Sequence, residues 1–447
     1  MAWPRLQAVF AAALVSALLA ADATTTANHG FFQIEEASID AIRLGFGNGT
    51  LTSVALVSFY LDRIARLNPL LHAVIEVSPD ALRQAARADA ERRRRSGSGS
   101  KSIGLLHGVP VLLKDNIATR DALNTTAGSL ALLGSVARRD AGVVARLRVA
   151  GAVVLGKANP SEWSAFRSVD DGWSARGGQT LVSARPRLKI LSFLLDRSWI
   201  YGERASTWQN PPMCRTVSEA VQVLDAIVGY DALDAAATGA ASRYIPHGGY
   251  TQFLKKDGLK GKRIGVPNGF FTREYYREKQ RTVYKQHLDT MRKHGAVVME
   301  NLAVATNLNT LLDDIGSNEG ERLKDFGQQD LIAAEKTDGI GSVERAAIQR
   351  LKELSENGLE KLMKEHGLEK LMKEHGLDAI VTPNSDSSGL LAIGGHPGIV
   401  VPAGYRDEGI PFGICFGGLQ GFEPRLIEMA YAFEQATRVR RPPMFKH

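Results

Sequence analysis

The chain has 447 residues and a formal net charge of +7, and 44% of its residues are hydrophobic while 23% are charged. This much apolar material indicates a globular protein with a large core, built as one big domain or as two or three smaller ones. The one dense basic run, Arg92 to Arg95, contains no aromatic residues that could stack on bases. We therefore predict a solvated basic surface and no nucleic-acid partner.

The first residues predict a secretory signal peptide. Arg5 precedes a mainly apolar run from Ala8 to Ala21, and Ala21-Asp22-Ala23 has the small-x-small form of a cleavage site. We predict cleavage after Ala23, with residues 1–23 as the signal peptide. The apolar run is shorter than the roughly 20 residues that a spanning helix needs, so no stable membrane span is predicted.

Secretion would expose two N-glycosylation sequons to modification, at Asn48 and at Asn124. The two cysteines, Cys214 and Cys415, are too few for a disulfide framework and lack metal-ligand spacing. We expect two buried small residues, with a single disulfide as the alternative, and no metal or cofactor.

Helix and strand signals alternate along the chain. Apolar residues at helical spacing follow Ser, Thr or Asp at several starts, with Asp140 expected to cap one helix and Thr216 another. The predicted helices are 52–67, 78–95, 140–150, 216–228, 280–294 and 424–437, and the predicted strands are 109–113, 152–155, 296–299, 379–382, 399–401 and 412–416. This alternation predicts a layered α/β fold.

A nine-residue segment is duplicated without change, since residues 358–366 and 367–375 both have the sequence Gly-Leu-Glu-Lys-Leu-Met-Lys-Glu-His. Two copies of this length match no repeat architecture. We predict a tandem duplication over 358–375 that lengthens a surface helix or adds a loop before the next strand. Its Glu and His residues are not expected to bind a ligand or to act in catalysis.

Lys114 stands at the end of an apolar strand, an unusual place for an ammonium group. Burial of that charge is costly, so such a lysine pairs with a carboxylate or loses its proton, and a neutral lysine is a competent general base. Asp115 is a candidate charge partner. From these residues alone, a surface lysine and a catalytic base both remain open.

Several further motifs follow Lys114 in order, and together they resemble the amidase signature family, in particular its secreted plant and fungal types. They are Thr125 to Ser129, Gly156 to Trp163, Gly172 to Gln179, Pro212 to Thr216, Gly394 to Gly398 and the tail from Pro424 to Lys446. The likeness makes residues 24–447 an amidase-like domain, interrupted by unrelated sequence at about 181–211.

The resemblance implies an α/β fold with a mixed central sheet surrounded by helices. It also implies hydrolysis of carboxamide C–N bonds through an acyl-enzyme, in which a lysine and a cis-bonded serine activate a nucleophilic serine. By position in their motifs, Lys114 would be the base and Trp163 would line the acyl pocket. The implied partner is a small-molecule amide, with no cofactor.

The resemblance breaks after Thr180, where the family has two glycine-rich turns that carry its serines. Residues 181–211 contain several serines but a single glycine, Gly202, so they lack the backbone freedom of an oxyanion loop. We therefore predict that part of the core sheet and the active-site loops is deleted and that the chain is inactive as an amidase. A non-catalytic amide-binding protein and a defective product of splicing or of a gene model are the alternatives.

Two other motifs point to no function. Gly151 to Ala158 resembles a phosphate-binding loop without its final Ser or Thr, but the residues between its glycines are the predicted strand itself. No Gly-x-Ser-x-Gly turn accompanies His107 or His396, so no α/β-hydrolase triad is predicted.

Overall fold

The computed structural model describes residues 32–96, 104–165, 172–181, 212–273, 276–303, 341–342, 346, 367–393, 395–407 and 409–443. The predicted signal peptide, the first nonapeptide copy and residues 182–211 lie outside this part of the chain. Within it, no helix is both long enough and apolar enough to cross a membrane. The chain divides into two units, the first ending at Thr52 and the second beginning at Ser53.

In the described residues of the first unit there is a helix, α1 (Ile39–Asn48), which the sequence did not predict. The Ser38 hydroxyl accepts a hydrogen bond from the backbone nitrogen of Ala41 at 3.1 Å and caps the helix start. Gly49 ends the helix with a φ of 76°, a left-handed conformation that glycine adopts without a steric penalty.

The second unit contains helices and strands in alternation, as predicted. The helices among its described residues are α2 (Ser53–Leu71), α3 (Ala81–Ser96), α4 (Gly142–Val149), α5 (Val217–Ile227), α6 (Ala235–Ser242), α7 (Glu278–Lys293), α8 (Leu368–Glu374), α9 (Ser388–Ile393) and α10 (Glu423–Thr437). Its strands are β1 (Val74–Val77), β2 (Pro110–Lys114), β3 (Val153–Ala158), β4 (Trp173–Ser174), β5 (Gly178–Gln179), β6 (Arg263–Pro267), β7 (Val297–Leu302), β8 (Ala379–Pro383), β9 (Gly398–Tyr405) and β10 (Pro411–Gly417).

A three-stranded sheet in the order β1-β3-β2 positions Lys114. Strands β2 and β3 run parallel, with Lys114 opposite Ala158, whereas β1 is antiparallel to β3. Helices α2 and α3 cover this sheet through a cluster of buried side chains that includes Val57, Ala85 and Val153. Burial of these apolar groups fixes β3, the strand with which β2 and its last residue Lys114 are paired.

The second large sheet has five strands in the order β7-β6-β8-β10-β9. Strand β6 is parallel to β7 and β8, while β10 is antiparallel to β8 and β9. Helices α5, α7 and α10 pack against it around a core that contains Tyr284, Phe416 and Phe433. Mixed sheets flanked by helices confirm the predicted fold class.

Two local predictions were wrong, the Asp140 cap and the burial of Cys214. Asp140 does not cap α4, because its carboxylate accepts the backbone N–H of Arg120 at 2.6 Å and contacts Arg148, while the N-cap position belongs to Ala141. Cys415 is buried as predicted, but Cys214 is exposed, and both thiols are free. The duplication over 358–375 stays a prediction. Its second copy forms α8, which precedes β8 and in which Leu368, Leu371 and Met372 are buried.

Candidate active site around Lys114

Lys114 is the last residue of β2 and is half-buried. The chain turns immediately after it, since the Lys114 carbonyl accepts a hydrogen bond from the backbone nitrogen of Ile117 at 2.9 Å. The backbone nitrogen of Asp115 donates to the Ala158 carbonyl at 3.0 Å and extends the pairing with β3 by one residue. The lysine therefore stands at the carboxyl end of two parallel strands, where α/β proteins commonly place their sites.

Asp115 is fully buried beside Lys114, with 0% of its surface exposed. Its carboxylate accepts hydrogen bonds from the Thr126 hydroxyl, from the backbone nitrogen of Gly128 at 2.9 Å and from the Arg176 guanidinium at 3.4 Å. These partners come from two of the predicted motifs. Asp115 thus fixes the loop around Gly128 and the segment around Arg176 next to the strand that carries Lys114.

The loop from Thr125 to Ser129 has an unusual backbone. Ala127 has a φ of 50° and Gly128 a φ of 80°, so two successive residues are left-handed. A Cβ atom on Gly128 would lie 2.5 Å from the Cβ of Ser174, a distance that no side chain tolerates. Glycine is required at position 128 both for its φ and for the close approach of Ser174.

Trp163, the predicted pocket residue, is linked to the same loop. Its backbone nitrogen donates to the Ala127 carbonyl at 2.9 Å, and the Ala127 nitrogen donates to the Asp115 carbonyl at 3.3 Å. Trp163 and Ser164 have φ values of 51° and 56°, which are uncommon for residues with a side chain and cost roughly 1–3 kcal/mol each. One residue, Ala127, therefore connects the Lys114 strand end with the strained turn at Trp163.

Lys157 lies in the same site and, unlike the half-buried Lys114, is fully buried. Its ammonium group donates to the Ile117 carbonyl at 2.6 Å and to the Thr125 hydroxyl at 3.1 Å. Burial lowers the pKa of Lys157, although the Asp115, Asp121 and Glu76 carboxylates act in the opposite direction. Lys157 joins the turn after Lys114 to the start of the loop that Asp115 anchors.

A polar cluster that sequence analysis missed surrounds Glu76 on β1. The Glu76 carboxylate accepts hydrogen bonds from the Arg176 guanidinium and from the side-chain nitrogen of Asn124, the latter at 2.9 Å. Burial alone would raise the pKa of Glu76, but these donors outweigh it and the pKa is lowered. Because Arg176 also contacts Asp115, the guanidinium links both carboxylates across three segments of the chain.

The segment from Gly172 to Leu181 is held in place up to the point where the resemblance ends. The Ser174 hydroxyl donates to the Asn159 side-chain oxygen at 2.6 Å, and the Ala175 nitrogen donates to the Glu162 carboxylate at 2.6 Å. The Leu181 nitrogen donates to the Leu71 carbonyl at 2.8 Å. The strand-and-loop frame of the predicted site is therefore folded as far as Leu181.

Within the described residues, no group of three His, Cys, Asp or Glu side chains could hold a metal ion. One polar atom near Lys114 is buried without a hydrogen-bond partner in that same part of the chain, the side-chain oxygen of Asn116. The Asn116 amide nitrogen donates to the Ser164 hydroxyl at 3.2 Å. An unsatisfied buried acceptor at this position has the chemistry to accept a hydrogen bond from an amide N–H.

Comparison with known proteins identifies the family. A probable amidase of Arabidopsis thaliana is 44% identical over 496 residues, an alignment that covers 93% of this chain and 92% of the relative. The chain belongs to the amidase signature family. The Amidase family profile matches residues 55–176, which include the Lys114 strand, the Gly128 loop and the turn at Trp163.

Solved amidase structures share this fold. The native peptide amidase from Stenotrophomonas maltophilia is 32% identical, with a TM-score of 0.72 and coverage of 93% of this chain and 100% of that chain. A peptide amidase in complex with the competitive inhibitor chymostatin is 31% identical, also with a TM-score of 0.72, over 92% of this chain and 99% of that chain. The resemblance inferred from the ordered motifs is confirmed.

Proposed function

We propose that this member of the amidase signature family keeps the frame of the amide-hydrolysing site but does not hydrolyse amides. The observation that carries the proposal is the sequence after Thr180, where residues 181–211 hold one glycine, Gly202, and no glycine-rich serine turn. Lys114 is proposed as the residue in the position of the base, and Trp163 as a wall of the acyl pocket.

The chemistry explains why the frame alone is insufficient. In the family mechanism, a lysine takes a proton from one serine, which takes a proton from the nucleophilic serine as its oxygen attacks the amide carbonyl. Without the two serines, a lysine base has no nucleophile to activate. Without a glycine-rich turn, no row of backbone N–H groups stabilises the oxyanion, a contribution typically worth about 2.7–4 kcal/mol per donor.

The comparison with the Arabidopsis relative supports a deletion. The alignment spans 496 residues, more than the 447 residues of this chain, although it covers 93% of the chain. The relative therefore has residues within the aligned span for which this chain has no counterpart. We propose that the serine-bearing segment is among them.

The proposal is tested by titrating the purified, cooperatively folded chain with a serine-reactive fluorophosphonate, with the Stenotrophomonas maltophilia peptide amidase as the positive control. We expect labelling of the control and no stoichiometric adduct on this chain. Hydrolysis of a peptide amide is measured in parallel for the chain and for Lys114→Met. A stoichiometric serine adduct, or ammonia release that Lys114→Met abolishes, would overturn the proposal.

Amide binding without hydrolysis is the second candidate function, and the buried, unpartnered oxygen of Asn116 favours it. A carboxamide that binds only the folded state raises the unfolding free energy by about 2.7 kcal/mol at 100 times its Kd. We expect benzamide or a peptide amide to raise the melting temperature of the chain and to have less effect on Trp163→Ala. A chain that shows no cooperative unfolding would instead be a defective product.

We further propose that the chain enters the secretory route through residues 1–23 and has no nucleic-acid partner. The support is the charged start, apolar run and small-residue cleavage site that end at Ala23. N-terminal sequencing of protein from the culture medium should begin at Thr24. A protein that stays in the cytosol with Met1 intact would refute the secretory assignment.

A further inference from the structure

The two predicted glycosylation sequons lie in very different surroundings. Asn48 ends α1 and is exposed, whereas Asn124 is half-buried in the loop between Lys114 and the Gly128 turn. An N-linked glycan is bulky and hydrophilic, so the attached nitrogen must face solvent in the folded protein. The structure can therefore distinguish two sites that the sequence treats as equal.

The Asn48 side chain presents its nitrogen for modification. Its carbonyl oxygen accepts hydrogen bonds from the Thr50 hydroxyl at 2.7 Å and from the Thr50 backbone nitrogen at 3.1 Å. Both bonds use the oxygen, which leaves the nitrogen uncommitted within the described part of the chain. A Cβ atom built on either neighbouring glycine, Gly47 or Gly49, would meet no atom within 4 Å, so the surroundings are open.

The Asn124 side chain is held at both ends of its amide. Its nitrogen donates to the two carboxylate oxygens of Glu76 at 2.9 and 3.1 Å, and its oxygen accepts from the backbone nitrogen of Gly134 at 2.8 Å. Glu76 is in turn bound by Arg176, and these two side chains are only 18% and 11% exposed. The amide of Asn124 is therefore part of the network that fixes the Lys114 site.

A sugar on Asn124 conflicts with this arrangement. Attachment of a sugar replaces one of the two hydrogens of the Asn124 side-chain nitrogen, which donates to both oxygens of the Glu76 carboxylate. The amide is held in this orientation from its other end, because its oxygen accepts from the backbone nitrogen of Gly134 at 2.8 Å. A glycan would have to displace Gly134 or pull the nitrogen away from Glu76, and either change leaves a partly buried polar group unpaired.

We propose that Asn48 carries an N-linked glycan in the folded, secreted protein and that Asn124 does not. The proposal rests on the proposed secretory route. The donor is a lipid-linked oligosaccharide pyrophosphate. The bond between the anomeric carbon and the pyrophosphate oxygen breaks, the lipid pyrophosphate leaves with the electron pair, and the anomeric carbon bonds to the Asn48 nitrogen, which loses one proton.

The experiment is to express the full chain in a eukaryotic secretory host with its own first 23 residues and, in parallel, with those residues replaced by a proven leader. Secreted protein is digested with peptide N-glycosidase in heavy-oxygen water, so that each formerly glycosylated asparagine is marked in a peptide mass map. We expect the mark at Asn48 and not at Asn124. Thr50→Ala should remove the glycan, and Thr50→Ser should retain it.

The two leaders separate failure of the route from failure of the site. If only the replaced leader gives secretion, the secretory assignment fails while Asn48 is still tested. If the chain is retained, the same map is made on the microsomal fraction that resists limited proteolysis. An unmodified Asn48 in translocated protein, or a glycan on Asn124 in protease-resistant protein, overturns the proposal.

Discussion

The buried carboxylate of Asp115 lies 2.9 Å from the backbone nitrogen of Gly128, thirteen residues further along the chain. This bond attaches the left-handed loop at Gly128 directly to the residue that follows Lys114. It places two separate motifs of the sequence in one site. The Asp115 carboxylate therefore holds these two parts of the site together through a contact that involves no serine.

Replacing Asp115 by Asn should destabilise the protein strongly. The substitution keeps the size but puts an NH₂ group among donors from Thr126, Gly128 and Arg176, so at least one buried donor loses its acceptor. We expect a loss of about 3–5 kcal/mol in the free energy of unfolding, measured by urea denaturation. Asp62→Asn is the control, because Asp62 is 62% exposed and pairs only across one helix turn with Arg66. That change should cost less than about 1 kcal/mol, and an equal effect of both would contradict our account.

Gly128→Ala separates backbone strain from steric contact. Gly128 and Gly134 have similar φ values, 80° and 91°, but only a Cβ at Gly128 meets a neighbour, at 2.5 Å from Ser174. At Gly134 it would meet nothing within 4 Å. Gly134→Ala should cost about 1 kcal/mol for its φ alone, and Gly128→Ala about 2 kcal/mol more. Similar denaturation midpoints for both variants would show that Ser174 can move aside.

The sequence predicted the parts of the site that depend on local patterns. The strand at Lys114 was predicted as 109–113 and is observed as Pro110–Lys114. The prediction was possible because a short apolar run that follows a glycine is typical of a buried strand. The Thr216 cap of α5 was confirmed as well, since its hydroxyl accepts the Glu219 nitrogen at 3.1 Å.

The parts that were missed depend on contacts between distant residues. Strand β1 has only four residues and contains Glu76, whose partner Arg176 lies a hundred positions away. Lys157 appeared in the sequence within the Gly156 to Trp163 motif and as the lysine of an incomplete phosphate loop, but neither pattern predicted its burial, which follows from the packing of β3 against other segments. The left-handed backbone at Trp163 has no local signature, since a tryptophan rarely adopts it.

His287 should make the protein less stable in mild acid. Burial lowers the pKa of this imidazole, although its hydrogen bond with the Ala403 carbonyl acts in the opposite direction. As pH falls from 6.5 towards the folded pKa, the unfolded chain takes up a proton that the folded chain does not, so the free energy of unfolding decreases. We expect this loss to be smaller in His287→Gln, measured by urea denaturation between about pH 7 and pH 5.

His247→Gln, at an exposed histidine, is the matched control for the loss of one imidazole. Burial lowers the pKa of His396 as well, but that group is present in all three proteins and cancels in the differences. An acid dependence of His287→Gln identical to that of the unsubstituted chain would show that His287 does not contribute.

Lys157 should show a pH dependence of the same sign as that of His287, but at alkaline pH. Its pKa is lowered by burial from the ordinary 10.5, so between the folded pKa and 10.5 the folded lysine is neutral while the unfolded one still holds its proton. The unfolded state then binds more protons, and the free energy of unfolding rises with pH across this window. Below the folded pKa, the folded protein instead has to hold a buried ammonium group among Ile117, Thr125 and Asp115.

Lys157→Met removes this titration, so the unsubstituted chain should gain stability relative to the variant as pH rises towards 10.5. The measurement is urea denaturation at several pH values from about 8 upwards, with Lys285→Met, at an exposed position on α7, as the control for removing one lysine. Parallel stability curves for the unsubstituted chain and Lys157→Met would mean that Lys157 stays charged in the fold. In that case its bonds to Ile117 and Thr125 would be those of an ammonium ion, and the carboxylates around it would outweigh its burial.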